Sequence, residues 1–402
     1  MYTWPMYRAI KTPGARHSQN GLSLVELMVA VVIGLLTVLA ISQSMSFFDR
    51  QRRGTTTGAD AQTNSALATY LLERDLRISG YGVYVNNTNF IQFCSQGTVR
   101  TFNAQRDPQE FQFSPNNVPF VPVSINPPGI PAGDPNTDVI GAAYGTSGIG
   151  ITGKGVAIGA DSGTGYTVQN TAGFVAGDMM LAVPKAAGSD CSVYELTDGP
   201  GTVNCSGTGA LTELQYGYAS YANRYHGCAQ VMPTRNKPGG LGVPVAAYKD
   251  GRLFNLGGRD GLVHAFYAVR GGRLTRCDYQ QSDCTAQGKA SDTQVWVPVA
   301  SEIVALRAEF GIASGGGAVD TWRTTVCAAS GCNPTAADWQ NLRVMRIAVV
   351  ARSLKPTGSG DTVPPQWSGQ GELTLNGDWQ KYRYSTTEVV VPLRNIIWGA
   401  TS

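Results

Sequence analysis

One stretch near the N-terminus constrains this chain of 402 residues more than any other. Apolar residues dominate from Leu22 to Phe48, and the run Leu24–Ile41 supplies 18 residues in which Glu26 is the only charge. A membrane-spanning helix needs about 20 apolar residues, so the run is near the required length. A carboxylate near the start of such a helix costs about 2–3 kcal/mol. The position of Glu26 therefore requires an explanation.

Two kinds of N-terminal segment fit the apolar run without explaining Glu26. A secretory signal peptide would be cut near Ala40, although the apolar region is longer than a usual signal core. A signal anchor would stay uncut. Its orientation is left open because basic residues flank the run on both sides, with Arg8, Lys11 and Arg16 before it and Arg50, Arg52 and Arg53 after it.

A third interpretation explains both Glu26 and the glycine before the run. Gly21 followed by Leu22-Ser23-Leu24-Val25-Glu26 resembles the class III signal of type IV prepilins. The resemblance implies that a prepilin peptidase cuts after Gly21 and that the new terminus at Leu22 is N-methylated. The cut creates an amino cation about one helical turn from Glu26. Because a carboxylate in an apolar bundle is tolerated when paired, Glu26 is predicted to register one subunit against the amine of a neighbour.

A second helical stretch follows the apolar run. Over residues 59–79 the spacing of apolar residues predicts one face that packs on another element, formed by Ala66, Leu67, Tyr70, Leu71 and Ile78. Glu73 and Arg77 stand four residues apart and are expected to support the helix. Together the two stretches predict a long helix over 22–80, with a transmembrane part over about 22–48.

The rest of the chain has the composition of a loop-rich β protein. It contributes most of the 49 glycines and 21 prolines, and only 15% of all residues are charged, which favours an extracytoplasmic protein. Gly271-Gly272 between two strand-like runs predicts a hairpin. The alternation in "RVMRIAVVARSL" predicts a strand with one face against a core. The predicted fold class is α+β: the long N-terminal helix packs on a large antiparallel β-rich head with disulfides over 81–402, and two subdomains remain an alternative.

The cysteines indicate disulfides rather than a metal site. The chain has eight cysteines and three histidines, and no cysteine pair has the C-x-x-C spacing of a zinc site. An even number of cysteines beside a membrane-targeting segment favours disulfides, with buried free thiols as the alternative. Proximity in sequence pairs Cys191 with Cys205, Cys277 with Cys284 and Cys327 with Cys332, and leaves Cys94 for Cys228.

Charge and motifs give no support to an enzyme or a nucleic-acid binder. The first 21 residues carry three basic and no acidic residues, so the remainder has 28 of each and no net charge. The G-x-G-x-x-G match at 148–153 opens no plausible helix, which phosphate binding requires, and is interpreted as a flexible loop. No catalytic residue, metal ligand or cofactor is predicted.

Several runs along the chain resemble the PilW family of minor pilins. The first is "LLERDLRISGYG", in which Leu76, Arg77, Ser79, Gly80 and Tyr81 carry the likeness. The others, in chain order, are "NTDVIGAAYG" with Asp138, "FVAGDMMLAV" with Gly177-Asp178, "AFYAVRGGRLTR", "WQNLRVMRIAVVARS" and "VVVPLRNI" with Arg394-Asn395. Each pattern is loose, and their order together is specific.

This resemblance implies a non-enzymatic minor pilin of the type IV pilus. Such a protein joins other minor pilins in a tip complex that primes polymerisation of the major pilin, displays a tip adhesin, and supports twitching motility and adhesion. It is expected in the inner membrane with its head in the periplasm, and later at the pilus tip. The alternatives are a type II secretion pseudopilin, against which the large head and the "PLRNI" ending weigh, and a head that acts directly as an adhesin or DNA-binding module.

Overall fold

A computed structural model of the chain describes the residues 23–83, 94, 97–147, 155–185, 190–199, 205, 212–237, 248–258, 260–315, 317–329, 332–356, 362–369, 373, 375 and 377–399, with the backbone alone for 49–57 and 398–399. The chain divides into two compact units, Met1–Thr55 and Thr56–Ser402. The α-helices in the described ranges are α1 (Leu24–Ile78), α2 (Ala336–Asn341) and α3 (Arg394–Gly399).

The described part of the second unit is mostly β-sheet. Its strands are β1 (Val99–Phe102), β2 (Glu110–Phe113), β3 (Val123–Ile125), β4 (Ile140–Gly145), β5 (Val156–Asp161), β6 (Gly165–Val168), β7 (Met179–Val183), β8 (Cys191–Glu195), β9 (Glu213–Gln215), β10 (Tyr221–Asn223), β11 (Ala229–Val231), β12 (Arg252–Gly257), β13 (Leu262–Arg270), β14 (Arg273–Asp278), β15 (Val297–Ser301), β16 (Ile303–Ile312), β17 (Thr321–Arg323), β18 (Leu342–Arg352) and β19 (Tyr384–Pro392).

These strands form three larger sheets and one ribbon. The strand orders are β2-β1-β8-β7-β12-β5-β6-β9, β15-β14-β13-β4-β3 and β17-β16-β18-β19, and β10 pairs with β11. Every strand pair is antiparallel except β1 with β8. The predicted fold class is confirmed, because an N-terminal apolar helix accompanies a large antiparallel β-rich region with disulfides.

The predicted hairpin at Gly271-Gly272 is present between β13 and β14. The two glycines have φ values of 56° and 71°, the left-handed conformation that both central residues of a tight hairpin turn require. The Asp134 carboxylate accepts a hydrogen bond of 2.9 Å from the backbone N–H of each glycine. A distant loop therefore fixes a turn whose position follows from local sequence.

Strand β18 is buried on both faces rather than on one. It pairs with β16 on one side and β19 on the other, and its alternate residues Met345, Ile347 and Val349 join the main core. The second face is also covered, because Val350 packs in a smaller cluster to which Trp367 belongs. The prediction of a single buried face was incomplete, because the segment that contains Trp367 follows the strand and packs on its second face.

Buried charge accompanies this second face. The Arg346 guanidinium donates to the Glu309 carboxylate at 2.5 Å and lies 4.1 Å from the centre of the Trp322 ring. A buried ion pair needs such close geometry to offset the cost of removing both charges from water. Arg346 of β18 is therefore part of the packing.

His264 of β13 lies in an aromatic part of the main core. Its ring is 5.0 Å from that of Phe113 and 4.7 Å from that of Phe266, measured between centroids. Its buried Nδ1 has no hydrogen-bond partner among the described residues. Burial lowers the pKa of His264 to about 3, so the imidazole is held neutral in the folded chain.

Replacing His264 by phenylalanine is expected to make stability less sensitive to acid. In the unfolded chain the imidazole takes up a proton near pH 6.5, whereas in the folded chain its pKa is about 3. Wild-type stability should therefore fall as pH drops from about 6.5 towards 3, by up to about 1.4 kcal/mol per pH unit from this group. Urea denaturation of both proteins at about pH 7 and pH 4.5 measures the difference. An equal stability difference between the two proteins at both pH values would contradict the assignment.

The disulfides correct two of the four predicted pairs. Cys277 pairs with Cys284 and Cys327 with Cys332, as predicted. The predicted pairs Cys191–Cys205 and Cys94–Cys228 are wrong, because the structure joins Cys94 to Cys191 and Cys205 to Cys228.

The physical reason is the parallel pairing of β1 with β8. Cys191 is the first residue of β8 and lies opposite Val99 of β1, which brings it beside the segment that precedes β1 and carries Cys94. This contact joins residues separated by 97 positions. Proximity in sequence cannot anticipate a pairing that the sheet creates.

Candidate functional site: the N-terminal helix

The first part of α1 has the properties of a membrane-spanning helix. The segment Leu24–Phe48 has 25 residues, and by length and composition it could cross a membrane. At about 1.5 Å per residue it is about 37 Å long, which exceeds the hydrocarbon thickness of about 30 Å. Its side chains are exposed throughout. An apolar helix without cover in its own chain is suited to lipid or to other helices.

Two hydroxyl groups of this segment, those of Thr37 and Ser46, are satisfied within the helix. Thr37 donates to the Gly34 carbonyl at 2.8 Å, and Ser46 donates to the Ser42 carbonyl at 2.9 Å. Internal pairing is what a lipid environment demands of polar groups. Thr37 and Ser46 therefore need no outside partner.

Glu26 differs from these hydroxyl groups. It lies in the first turn of α1 with its side chain exposed, where a negative charge interacts favourably with the helix dipole. Within the described part of the chain, no group forms a hydrogen bond or ion pair with its carboxylate. The predicted cleavage after Gly21 and the N-methylation of Leu22 fall on residues outside those that the structure describes.

The second part of α1 packs on the head with a different face from the one predicted. Leu67, Tyr70 and Ile78 are exposed, by 44%, 61% and 40% of their surface, and Ala66 is exposed as well. The buried positions are instead Ala61, Ser65, Ala68, Thr69, Leu72, Asp75, Leu76 and Ser79. Small side chains dominate this face because they let the helix backbone approach the sheets. The predicted face was wrong because the small size of a side chain, more than its hydrophobicity, decides which positions of this helix are buried.

Asp75 is the residue on this face that sequence reasoning missed. Its side chain is fully buried, and it accepts a hydrogen bond from the Tyr267 hydroxyl at 2.7 Å. The Arg74 guanidinium lies 2.9 Å away and that of Arg276 lies 3.8 Å away. Burial, and then the nearby Asp75 charge, raise the pKa of Tyr144 to about 12. The sequence feature that indicated the burial of Asp75 was its position between Leu72 and Leu76 on the same helix.

The end of α1 is fixed by the motif that resembles the PilW pattern. Gly80 has a φ of 84°, which ends the helix in the left-handed conformation, and its N–H donates to the Ala143 carbonyl at 2.8 Å. The Asn395 amide donates to the Ile78 and Ser79 carbonyls at 3.1 and 3.2 Å. The last turn of the helix is thus held by β4 and by the C-terminal segment.

Strand β19 adds a further contact with the helix. This contact and those of Asp75, Gly80 and Asn395 are together called the helix seat. Thr387 donates to the Ser65 hydroxyl at 2.9 Å. On the outer side, Arg77 donates through Nε to the Glu73 carboxylate at 2.8 Å, which confirms the predicted contact between these two residues. The helix is therefore joined to the head by buried polar groups and braced by an ion pair at the surface.

The two aspartates that the PilW resemblance highlighted accept hydrogen bonds from backbone and side-chain groups nearby in the fold. Asp138 accepts a hydrogen bond from Ala308 N–H at 3.0 Å and one from the Asn126 amide at 2.9 Å. Asp178 accepts from Val175 N–H at 2.8 Å and from the Tyr225 hydroxyl at 2.5 Å, while burial raises its pKa. Both carboxylates have structural partners.

No site for chemistry emerges from the part of the chain that the structure describes. Within those ranges, no group of three or more His, Cys, Asp or Glu residues is placed to hold a metal ion. The G-x-G-x-x-G match at 148–153 lies outside them. The N-terminal helix, with Glu26 at one end and the helix seat at the other, remains the candidate functional site.

Comparison with known families agrees with this choice of site. A family model described as the prokaryotic N-terminal methylation motif matches residues 16–42. A second, described as type IV pilus-assembly protein W (PilW), matches residues 271–395, which include Arg276, Thr387 and Asn395 of the helix seat. No curated protein and no solved structure matches the chain.

Proposed function

This chain is a PilW-like pilin with a prepilin signal, and we propose that it acts as a minor subunit at the tip of a type IV pilus. In this role it joins other minor pilins in a complex that primes polymerisation of the major pilin. The family is structural rather than enzymatic. Support for twitching motility, for adhesion and for display of a tip adhesin would follow from a place in that complex.

The observation that carries this proposal is Glu26. Its carboxylate is exposed in the first turn of a membrane-length helix, without a partner in the described part of the chain. In an apolar environment an unpaired charge is costly, whereas a paired one is tolerated. After cleavage at Gly21 by a prepilin peptidase, the methylated amine of Leu22 in a neighbouring subunit supplies the matching cation. Glu26 then sets the register between subunits.

The helix seat supports a role at the pilus tip. Buried contacts of Asp75 and Ser65 join the helix to a head that contains most of the chain. A head of this size is difficult to repeat at every step of a thin filament and is easily placed at its end. Before assembly the helix would hold the protein in the inner membrane, with the head in the periplasm. The PilW match favours a pilus over the type II secretion pseudopilin, which shares the N-terminal signal.

Replacing Glu26 by glutamine is expected to lower incorporation into sheared pili by about tenfold or more, because a buried ion pair is lost. Quantitative mass spectrometry of pili and membranes measures the ratio of assembled to membrane-held protein. The N-terminal peptide in the same data should begin at Leu22, which checks the cleavage after Gly21.

The matched control is Thr37→Val in the same helix. Its hydroxyl bonds to its own backbone, so incorporation should stay within about twofold of wild type. Equal incorporation of Glu26→Gln and wild type would refute the pairing argument. A wild-type chain that begins at Met1 or Ile41 would refute the prepilin route itself.

A further inference from the structure

A cavity lies at one end of the sheet formed by β17, β16, β18 and β19. Its volume is about 340 Å³, within the range of about 300–1,000 Å³ that small-molecule sites occupy. Val304 of β16, Arg352 at the end of β18 and Tyr384 at the start of β19 line it. The turn Gly271-Gly272 and the loop that contains Asp134 line it as well. The cavity therefore lies where three strand ends and two loops meet.

Aromatic side chains form a large part of the lining. Trp379 opens the short 3₁₀ helix Trp379–Lys381, Tyr382 follows this helix, and Tyr384 begins β19. All three side chains are half-buried, so part of each ring stays accessible. Aromatic rings are broad apolar surfaces, against which the C–H groups of a ligand pack well. The lining thus favours a ligand that presents C–H groups on a flat face.

The aromatic side of the cavity is held in place by the chain itself. The Tyr384 hydroxyl donates to the Trp379 carbonyl at 2.8 Å. The Arg352 guanidinium lies 4.9 Å from the centre of the Tyr382 ring. On the opposite side, the hydrogen bonds of Asp134 fix the glycine turn. A preformed site reduces the entropy that binding must overcome.

The charges at the cavity disfavour a charged ligand. Three of the described lining residues are charged, namely Asp134, Asp378 and Arg352. Asp134 accepts from the backbone of the glycine turn, Asp378 is paired with Lys381, and Arg352 donates through Nε to Glu302 at 2.7 Å. A charged ligand would lose hydration without meeting an uncompensated charge. The occupant is therefore expected to be neutral.

Polar groups nevertheless remain for hydrogen bonds to an uncharged ligand. Among the described residues, no group accepts a hydrogen bond from Nη1 or Nη2 of Arg352, since only its Nε is used. The Asp378 side chain is 73% exposed, and its carboxylate can accept further donors beside Lys381. A hydroxyl group both donates and accepts. A ligand rich in hydroxyl groups would use both side chains.

We propose that this cavity binds the terminal sugar residue of a neutral glycan. A pyranose ring has C–H groups on its faces, which pack on the aromatic lining, and hydroxyl groups around its edge, which bond to Arg352 and Asp378. A purely aliphatic ligand would leave these polar groups unused. The site is formed by the head alone and is independent of the pairing of Glu26.

Saturation-transfer difference NMR on the full-length protein in lipid nanodiscs tests the proposal. The probes are the methyl glycosides of glucose, galactose and mannose, in which the methyl group stands for the rest of a glycan. At least one should bind with a Kd of about 1–10 mM. The matched uronic acid glycoside, which differs only by its carboxylate, should bind at least about fivefold more weakly.

A pair of variants tests the aromatic lining. Trp379→Ala removes one aromatic face and should weaken binding of the best probe by about tenfold. The matched control Trp379→Phe keeps an aromatic ring and should bind within about threefold of wild type. Equal binding of the best probe by Trp379→Ala and wild type would overturn the proposal.

The comparisons with wild-type protein do not depend on the folding of any variant. No binding of the three neutral glycosides up to about 50 mM would overturn the proposal. Equal binding of a glycoside and its uronic acid would do the same, because the charges at the cavity would then not select the ligand. So would a free sugar that binds while its methyl glycoside does not, because the occupant would then be a free sugar and not the end of a glycan.

Discussion

Replacing Asp75 by alanine is expected to lower the free energy of unfolding of this pilin by about 3–5 kcal/mol. The fully buried carboxylate accepts from the Tyr267 hydroxyl and lies near the guanidinium groups of Arg74 and Arg276. Alanine leaves the buried Tyr267 hydroxyl without its acceptor, and Arg276 keeps Asp278 as its carboxylate partner. The loss is large because the hydroxyl of Tyr267, a residue that is 1% exposed, stays buried when the carboxylate is removed.

Chemical denaturation of the full-length protein in detergent, followed by tryptophan fluorescence, measures this change. The control is Glu73→Ala, two residues earlier on the same helix. Glu73 pairs with the half-exposed Arg77 at the surface, so its loss should cost only about 0.3–0.5 kcal/mol. Similar small losses for both variants would show that Asp75 does not hold the helix on the head. The loss in the free energy of unfolding for Asp75→Asn should lie between those of the two alanine variants, since asparagine keeps a hydrogen-bond acceptor and loses the charge.

Removing the Cys94–Cys191 disulfide is the second substitution with a large expected effect. This bridge spans 97 positions, and a loop of that length restricts the unfolded chain strongly. The chain-entropy relation gives a loss of about 4.7 kcal/mol for the double variant Cys94→Ala/Cys191→Ala. Alanine avoids burying a hydroxyl group, because both cysteines are fully buried.

The control uses a short bridge of the same protein. Cys277 and Cys284 are also buried, but only seven positions separate them, and the same relation gives about 2.5 kcal/mol for Cys277→Ala/Cys284→Ala. Denaturation under oxidising conditions compares the two double variants. If the short bridge contributes as much as the long one, packing around the sulfur atoms decides the loss and loop length does not.

The sequence predictions that were confirmed depend on contacts between near neighbours. The hairpin requires two residues that accept a positive φ, and Gly271-Gly272 is visible as such in the sequence. The Glu73–Arg77 contact follows from the helical repeat alone. Cys277–Cys284 and Cys327–Cys332 join cysteines that lie close in sequence. Each of these features is decided within about ten residues.

The predictions that failed depend on contacts with residues that are distant in sequence. The buried face of α1 was misjudged because the large residues Leu67 and Tyr70 suggested a core. The sheet that carries Tyr267 and Arg276 instead selects a face with small residues and one acid. Asp75 could not be recognised as buried without knowing that a hydroxyl and guanidinium groups would meet it.

The sequence by itself determined the membrane-length helix, the place of its one carboxylate, the β-rich class of the head and the family of the protein. These follow from composition, periodicity and short motifs, which act locally along the chain. Only the tertiary structure decided the helix face that meets the head and the partner of Cys94. The reason is that strand pairing brings together residues far apart in sequence, and burial then depends on neighbours that no local pattern specifies.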